Sequence, residues 1–494
     1  MAGPADRTRR FIASVEGDPH QVDGIITGMA ATEVELVADV LDPPTEIAVA
    51  LTAILLLRLE DAAPHLFLAV PSTRSVKLPL LGEHDLYDEL ADAHQGFESV
   101  ERFHRGPAPN PDLRLVFGAG AAPGLHVRSA GWACSLDADL PAIAGNPVAA
   151  AFAGVLAAAE ALEVGMHRAG SRARLGSYRG AVSLWDYTLA PVVGATITAP
   201  VDLSGFGIVG CGGVGSATAW TLGLISLLGD PLVVDHDIID KEGTNLNRHL
   251  TATFQNIGDP KATLLAGFLS AAGASPRPRI REWKELSDAE KLEVRTGVIS
   301  VDDAEVRRAF QLDMPKVILN AATSDTGYFR VTYHDFLNAA CLRCITPSGT
   351  LLGGQLATTA RRLGISTGLL NDMISANVPL SEEVVDSLRL EDREQVRGVR
   401  GAELVATVCA RLQPLPDEPA VSAPMLSAAP GVLLASEAIK RSMGYNVPLS
   451  PVGNVLSASV LKGPHRAWLS TIHKRPACEC LDTLYRQYYA KKWA

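Results

Sequence analysis

The sequence predicts an α/β fold built around a nucleotide-binding sheet, on three observations. An apolar run, Phe206–Val209, leads directly into a glycine-rich turn. A helix-compatible segment, Ser216–Leu228, follows, and a second apolar run, Leu232–Val234, then ends at Asp235. The order strand, glycine turn, helix, strand and acid is the first unit of a nucleotide-binding α/β sheet.

The turn contains four glycines followed by a serine: Gly210, Gly212, Gly213, Gly215 and Ser216. Glycine suits this position because it adopts positive φ readily and because a phosphate must approach bare backbone. Asp235 lies twenty residues beyond Gly215, where a carboxylate that holds ribose hydroxyls is expected. Dehydrogenases, flavoproteins and nucleotidyltransferases all share such a turn, so the turn alone leaves the class open.

Composition and net charge limit the classes of partner and the cellular location that we expect for the chain. With 494 residues the chain is long enough for more than one domain, and a net charge of −11 argues against nucleic-acid or anionic membrane partners. No apolar run reaches the length of a membrane span and Met1–Arg10 is polar and basic, so we expect no signal peptide, no membrane association and a cytoplasmic location. Seven cysteines in a reducing compartment indicate metal ligands or a reactive thiol rather than disulfides.

Residues 1–165 predict an N-terminal α/β domain without a chemical motif. Ile47–Leu59 is apolar, Leu113–Phe117 is typical of a strand, and Asn146–Gly165 predicts a long alanine-rich helix. Gly118–Gly120 lacks the full fingerprint and is expected to be an ordinary turn rather than a second nucleotide site. Residues 166–200 predict a connector whose four arginines are typical of a solvated loop: Arg168, Arg172, Arg174 and Arg179.

The residues after Asp235 carry a family resemblance. They are Val234-Asp235-His236-Asp237, then Thr244-Asn245-Leu246-Asn247-Arg248, then Ile257-Gly258-Asp259-Pro260-Lys261. This stretch resembles the ThiF/MoeB/HesA family, the bacterial relatives of ubiquitin-activating enzymes, whose pattern is roughly D-x-D, S-N-L-x-R-Q and G-x-x-K. Thr244 replaces the serine and His249 the glutamine, and neither departure removes a charged group.

The resemblance implies a Rossmann-like, ATP-dependent adenylation domain with a mixed sheet over residues 201–494. It further implies that residues 1–165 are a degenerate copy of that fold, and that an arginine of the connector reaches the phosphates. The residues implied to bind nucleotide are the glycines and Ser216 together with Asp235, Asp237 and Asn245. Those implied to neutralise the triphosphate in catalysis are Asn247, Arg248 and Lys261.

A magnesium ligand is implied near Val298–Asp303, an apolar run with an acidic end. Asp303 fits the family pattern because it precedes Arg308 by five residues, although Ala304 stands where the family has asparagine. Asp302 remains open as the ligand. An acid pair at a helix N-terminus, favoured by the helix dipole, is the alternative explanation.

Two cysteine pairs predict a structural zinc ion, with free thiols as the alternative. The pairs are Cys341 with Cys344 and Cys478 with Cys480, and four thiolates complete a tetrahedral site with no position left for catalysis. The second pair is Cys-x-Cys where the family has Cys-x-x-Cys.

Residues 347–419 correspond to the crossover region of the family, which sometimes carries a cysteine that accepts the acyl group. Cys409 lies here, and a buried helix cysteine is the alternative reading of its apolar surroundings. The implied substrate is the C-terminus of a ubiquitin-like or sulfur-carrier protein, a peptide or a small carboxylate. The oligomeric state is undecided between a homodimer and a single chain that carries its own inactive partner domain.

Two alternative functions also remain: an NAD(P)-dependent oxidoreductase, and a non-enzymatic scaffold whose nucleotide site has decayed.

Overall fold

The computed structural model describes residues 4–494 with several gaps. The gaps are 17–20, 172–177, 199, 242, 324–326, 346–359, 361–362, 366–368, 371–372, 374–378, 389–392, 401–422, 446–448, 450–452, 466–467 and 477. Residues 4–200 are called the N-terminal half below, and residues 201–494 the C-terminal half.

The N-terminal half forms a seven-stranded sheet in the order β3-β2-β1-β4-β5-β6-β7. Its elements are α1 Pro4–Glu16, α2 Val22–Ala30, β1 Glu33–Val37, α3 Pro43–Leu57, β2 His65–Ala69, α4 Leu86–Ala93, β3 Phe103–Arg105, β4 Leu113–Phe117, β5 Leu125–Ala130, β6 Ala133–Leu136, α5 Pro147–Arg168 and β7 Gly180–Ser183. Strands β1 to β5 pair in parallel, whereas β6 runs antiparallel to both of its neighbours.

The C-terminal half forms an eight-stranded sheet in the order β12-β11-β9-β13-β14-β15-β16-β17. Its elements are β8 Val201–Asp202, β9 Phe206–Val209, α6 Gly213–Leu222, β10 Leu227–Leu228, β11 Leu232–Val234, α7 Lys261–Ala271, β12 Arg277–Arg279, α8 Asp288–Glu293, β13 Thr296–Ile299, α9 Ala304–Leu312, β14 Val317–Thr323, β15 Tyr328–His334, α10 Leu342–Ile345, α11 Glu382–Ser387, α12 Pro424–Ser442, β16 Val455–Ser459, β17 Leu469–Ser470 and α13 Thr483–Lys492. The mixed α/β fold expected from the sequence is confirmed.

The two sheets share one strand order. When the strands are counted in chain order within each sheet, the first strand is third in the spatial order, the first five strands are parallel, and the later strands are antiparallel. A long helix precedes the seventh strand of each sheet: α5 precedes β7 in the first sheet, and α12 precedes β16 in the second. The two long helices pack on each other, and each also packs on the first crossover helix of its own half, α3 or α6.

Local sequence explains why these helices are central. Asn146 caps α5 by accepting the Ala149 N–H, and Pro147 occupies the first turn of the helix. Apolar residues lie on all faces of α5, a pattern typical of a helix buried at the centre of a fold. Within the described residues α5 is long and apolar enough to cross a membrane by length and composition, so the expectation that no run reaches that length was wrong. In this fold 89% of its apolar window is buried inside the protein.

One sequence-based boundary also needs correction. The helix after the glycine turn was expected to reach Leu228, but α6 ends at Leu222, with Gly223 at its C-cap. Leu227–Leu228 instead pairs in parallel with Val201–Asp202. By contrast, Gly118 lies in a short connection between β4 and β5, which agrees with the ordinary turn expected there.

Candidate nucleotide-binding site

The glycine turn connects β9 to α6 at the carboxyl edge of the parallel strands. Gly210 has φ +89°, and a Cβ there would lie 2.8 Å from the Val301 backbone nitrogen. A Cβ at Gly215 would lie 2.1 Å from the Gly210 carbonyl oxygen. These two glycines are therefore required by backbone conformation and by packing inside the turn.

Gly212 differs from them because its surroundings are open. A Cβ at Gly212 would meet no atom within 4 Å, although the residue is the N-cap of α6. The first-turn N–H groups of a helix have no partner within the helix, and glycine has no side chain to cap them. Gly212 therefore leaves open space at the start of α6, although Gly213, Val214 and Gly215 of the first turn are themselves buried. This helix end is suited to phosphate oxygens.

Asp235 follows β11 and braces the turn. Its Oδ2 accepts the Cys211 N–H at 2.5 Å and its Oδ1 accepts the Asp237 N–H at 2.8 Å. Burial raises the pKa of Asp235, and the two N–H donors and Lys261 oppose that rise. A carboxylate accepts about four hydrogen bonds, so two positions remain for ribose hydroxyls.

The nucleotide loop, residues 236–261, brings the predicted polar residues to the turn. Lys261 begins α7, and its Nζ contacts Asp237 Oδ2 at 2.8 Å with only 7% of its side chain exposed. Asn245 is turned back into the loop, where its Nδ2 donates to Asp240 Oδ2 at 2.5 Å. Lys261 therefore places a cation at the site whose charge is partly neutralised by Asp237. Asn245 stabilises the conformation of the nucleotide loop.

Two side chains attach this loop to the glycine turn. Ser216 Oγ donates to the Gly213 carbonyl at 2.8 Å and accepts the Leu250 N–H at 3.0 Å, while the residue is fully buried. His249 Nε2 lies 2.7 Å from the Cys211 carbonyl oxygen, and burial lowers the pKa of His249 to about 3. His249 is therefore neutral and donates its Nε2–H, a role that an amide side chain can also fill.

Arg248 and Asn247 are the remaining loop residues predicted for catalysis. Burial lowers the pKa of Arg248, and the carboxylates of Asp302 and Asp240 oppose that effect. Asn247 is fully buried and its Nδ2 lies 3.5 Å from Thr8 Oγ of α1. Its Oδ1 has no hydrogen-bond partner among the described residues.

The two candidate magnesium ligands occupy different environments. Asp303 is the N-cap of α9, and its Oδ1 accepts the N–H groups of Glu305 at 2.6 Å and Val306 at 3.2 Å. Asp302 is exposed and acts on Arg248 through space. Asp303 thus caps the N-terminus of α9, as expected if the acid pair serves the helix rather than a metal. Both Asp302 and Asp303 remain candidate magnesium ligands.

The cysteine cluster, Cys341, Cys344, Cys478 and Cys480, is assembled as the sequence predicts. Sulfur–sulfur distances are 3.8 Å for Cys341–Cys344, 3.4 Å for Cys341–Cys478 and 3.6 Å for Cys344–Cys480. Tetrahedral zinc with Zn–S bonds of about 2.3 Å requires sulfurs about 3.8 Å apart. The Cys-x-Cys spacing therefore fits a four-thiolate site.

The cluster lies away from the nucleotide edge of the sheet. The Leu342 N–H donates to Gln311 Oε1 near the end of α9, the end opposite Asp303. Arg343 and Glu479 form an ion pair at 2.8 Å between the two cysteine pairs. The cluster therefore joins the C-terminal tail to the sheet and takes no part in the nucleotide site.

Residues of the N-terminal half that were not predicted as functional contact the nucleotide loop. Arg58, at the C-cap of α3, donates to loop carbonyls, and Phe97 packs edge-on against Phe254 with ring centroids 4.8 Å apart. A charged residue near the end of the apolar Ile47–Leu59 run was the available signal for Arg58.

The arginines of the connector do not reach this site where they are described. Arg168 pairs with Asp112 at 2.7 Å and Arg179 pairs with Glu160 at 2.7 Å, both within the N-terminal half. Arg172, Arg174 and Cys409 lie outside the described residues.

The strand–glycine turn–helix edge, Asp235 and the adjacent cations define a nucleotide-binding α/β protein. Residues 191–480 match the sequence profile of the ThiF family, so the chain belongs to the ThiF family. It is 28% identical over 348 residues to the uncharacterized protein y4jF of Sinorhizobium fredii, and this match covers 63% of each chain.

Solved structures with detectable similarity include two of MccB. Escherichia coli MccB with ATP is 14% identical, with 57% of this chain and 67% of that chain covered and a TM-score of 0.36. The microcin C7 biosynthetic enzyme MccB in complex with N-formylated MccA is 16% identical, with 56% and 67% covered and a TM-score of 0.36. Family membership rests on the sequence profile and not on these superpositions.

Proposed function

We propose that this protein is an ATP-dependent adenylating enzyme that converts a carboxylate into an acyl-adenylate and releases pyrophosphate. The observation that carries the proposal is the open helix N-terminus at Gly212, braced by Asp235 and flanked by the cations of the nucleotide loop. Membership of the ThiF family supports ATP as the nucleotide. A dehydrogenase binds no triphosphate, so it would not need the cations Arg248 and Lys261 at this position. This disfavours the alternative of an NAD(P)-dependent oxidoreductase.

The reaction asks the protein to position groups and stabilise charge. A substrate carboxylate oxygen bonds to the α-phosphorus while the bond to pyrophosphate breaks, so negative charge moves onto the leaving group. Lys261 and Arg248 would neutralise that charge, and Asp303 or Asp302 would hold the magnesium ion that binds the phosphates. No protein nucleophile is required. Cys211 lies within the glycine turn, and burial raises the pKa of its thiol and keeps it protonated.

We infer that the N-terminal half is a degenerate copy that binds no nucleotide. It has the same strand order, but residues 38–42 after β1 contain no glycine. Asp42 caps α3 by accepting the Thr45 N–H at 3.0 Å, and Pro43 and Pro44 remove two N–H donors. An acidic cap and missing donors exclude phosphate at the position where the C-terminal half would bind it.

The substrate proposed is a C-terminal carboxylate of a ubiquitin-like or sulfur-carrier protein or a peptide, or a small acid. The packing of α5 on α12 within one chain supports a built-in partner in place of a second subunit. The cysteine cluster is proposed to hold one structural Zn²⁺, which would fix the C-terminal tail to the sheet. Its sulfur spacing supports this assignment.

Pyrophosphate exchange into ATP tests the proposal. Radiolabelled pyrophosphate is incubated with the full chain, Mg-ATP and pools of carboxylate substrates, including peptides and carrier-protein C-termini. We expect substrate-dependent exchange that Arg248→Ala abolishes. Exchange that survives in Arg248→Ala would contradict the role given to this arginine.

A further inference from the structure

Arg58 is a buried cation from the N-terminal half that ends inside the C-terminal half. Its side chain is fully buried, and burial lowers its pKa to about 9. Nη1 donates to the His249 carbonyl at 2.9 Å and also to the Leu246 carbonyl, and Nη2 donates to the Ala252 carbonyl at 2.8 Å. One guanidinium thus holds three carbonyls of residues 246–252, which are called the clamped segment below.

The backbone of the clamped segment forms neither a strand nor a helix. Its carbonyls are held by turn bonds, such as the Ala252 N–H to the His249 carbonyl at 3.1 Å, and by Arg58. A buried carbonyl without a donor is costly, and the planar guanidinium offers donors in a fixed fork. An N-terminal contact adds to the clamp, since the Arg58 Cζ lies 5.5 Å from the centroid of the Phe97 ring, which packs on Phe254.

The clamped segment is also the part of the nucleotide loop joined to the glycine turn. His249 donates to the Cys211 carbonyl, and the Leu250 N–H donates to Ser216 Oγ. Asn247 and Arg248 lie in the same segment. A short chain of hydrogen bonds therefore runs from Arg58 through the clamped segment to the turn that would hold the phosphates.

We propose that Arg58 is a positioning residue for the ATP site, through which the N-terminal half sets the geometry of the nucleotide loop. The inference rests on the proposed function and goes beyond it, because it assigns the catalytically silent half a direct part in ATP binding. Arg58 touches no substrate and acts through the backbone of the clamped segment.

The test compares Mg-ATP binding by calorimetry with thermal unfolding for the full-length chain and three variants. Arg58→Ala removes the guanidinium, and Arg58→Lys keeps the charge without the fork. Lys440→Met is the control for loss of a buried cation, because Lys440 is also fully buried and donates across the fold to the carbonyls of Leu184 at 2.8 Å and Trp185 at 3.2 Å. Lys440 in addition pairs with the buried Glu437 at 2.5 Å, so this variant should lose stability.

We expect Arg58→Ala to weaken ATP binding by about tenfold or more, the loss associated with charge-assisted hydrogen bonds. Millimolar guanidinium chloride should restore binding to this variant, whereas equal sodium chloride should not. Arg58→Lys should fall between wild type and Arg58→Ala. Lys440→Met should lower the unfolding temperature and leave the Kd for ATP unchanged.

Two results separate the possible failures. Wild-type protein that binds ATP, with Arg58→Lys and Arg58→Ala binding it equally well, would overturn the inference and leave the proposed function standing. Wild-type protein that binds no ATP would refute the proposed function and this inference with it. If Arg58→Ala does not fold, wild-type affinity in folded Arg58→Lys still overturns the role of the fork.

Discussion

Replacing Gly212 by alanine should separate ATP binding from stability. Gly212 has φ −74° and ψ −156°, a conformation that other residues adopt without strain, and its Cβ would enter empty space. That space is where the phosphates would approach the start of α6. The added methyl group should therefore block the ligand and leave the folded protein intact.

The size of each effect follows from local physics. Alanine at an N-cap costs up to about 1 kcal/mol relative to glycine, and the reduced freedom of the unfolded chain returns about 0.4–1 kcal/mol, so net stability should change by less than about 1 kcal/mol. Losing one charge-assisted hydrogen bond to phosphate costs about 1.5–3 kcal/mol, which weakens ATP binding roughly 10- to 150-fold.

Gly215→Ala is the matched comparison in the same turn. Its Cβ would lie 2.1 Å from the Gly210 carbonyl oxygen and 3.0 Å from Ser300 Oγ. Overpacking of this kind costs about 1–3 kcal/mol, so this variant should lose stability as well as ATP affinity. Calorimetric Kd values for Mg-ATP and denaturant unfolding curves measure the two quantities. Wild-type affinity in Gly212→Ala would refute the placement of the phosphates.

The remaining predictions concern the metal and the buried histidine. Metal analysis of purified protein should give about one zinc per chain, and Cys344→Ser should lower both the zinc content and the unfolding temperature; well under one zinc in the wild type would remove the four-thiolate site. The pKa of His249 falls from 6.5 to about 3 on folding, so its contribution to stability is complete above pH 6.5 and is lost as the pH falls towards 3. Between pH 7 and pH 5 this histidine should cost about 2 kcal/mol of unfolding free energy, and His249→Gln, which keeps an N–H donor, should be less sensitive by that amount in denaturant titrations. An equal loss in the variant would show that His249 is not buried in its neutral form.

Local features of the nucleotide edge were predictable because they depend on neighbouring residues. The glycine turn, β9, β11 and the place of Asp235 all follow from residues 206–235. The end of α6 was not predictable in this way, since Leu227–Leu228 is held by a strand that pairs with it in space.

Contacts between the N-terminal and C-terminal halves could not be predicted from the sequence either. Arg58 lies 188 residues before Leu246 and 194 before Ala252, and no periodicity relates such distant positions. The repeated strand order is likewise visible only in the sheets, because the first copy lacks the glycines that mark the second. The cysteine cluster could be predicted from the sequence because closely spaced cysteine pairs are themselves a metal-binding pattern.

The central claim is most directly tested by calorimetric titration of the purified chain with Mg-ATP, NAD and NADP, with Asp235→Ala as control. The account predicts ATP binding at one site per chain, since the N-terminal half has no phosphate site, and its loss in Asp235→Ala. Binding of NAD or NADP without ATP, or two ATP sites per chain, would contradict it.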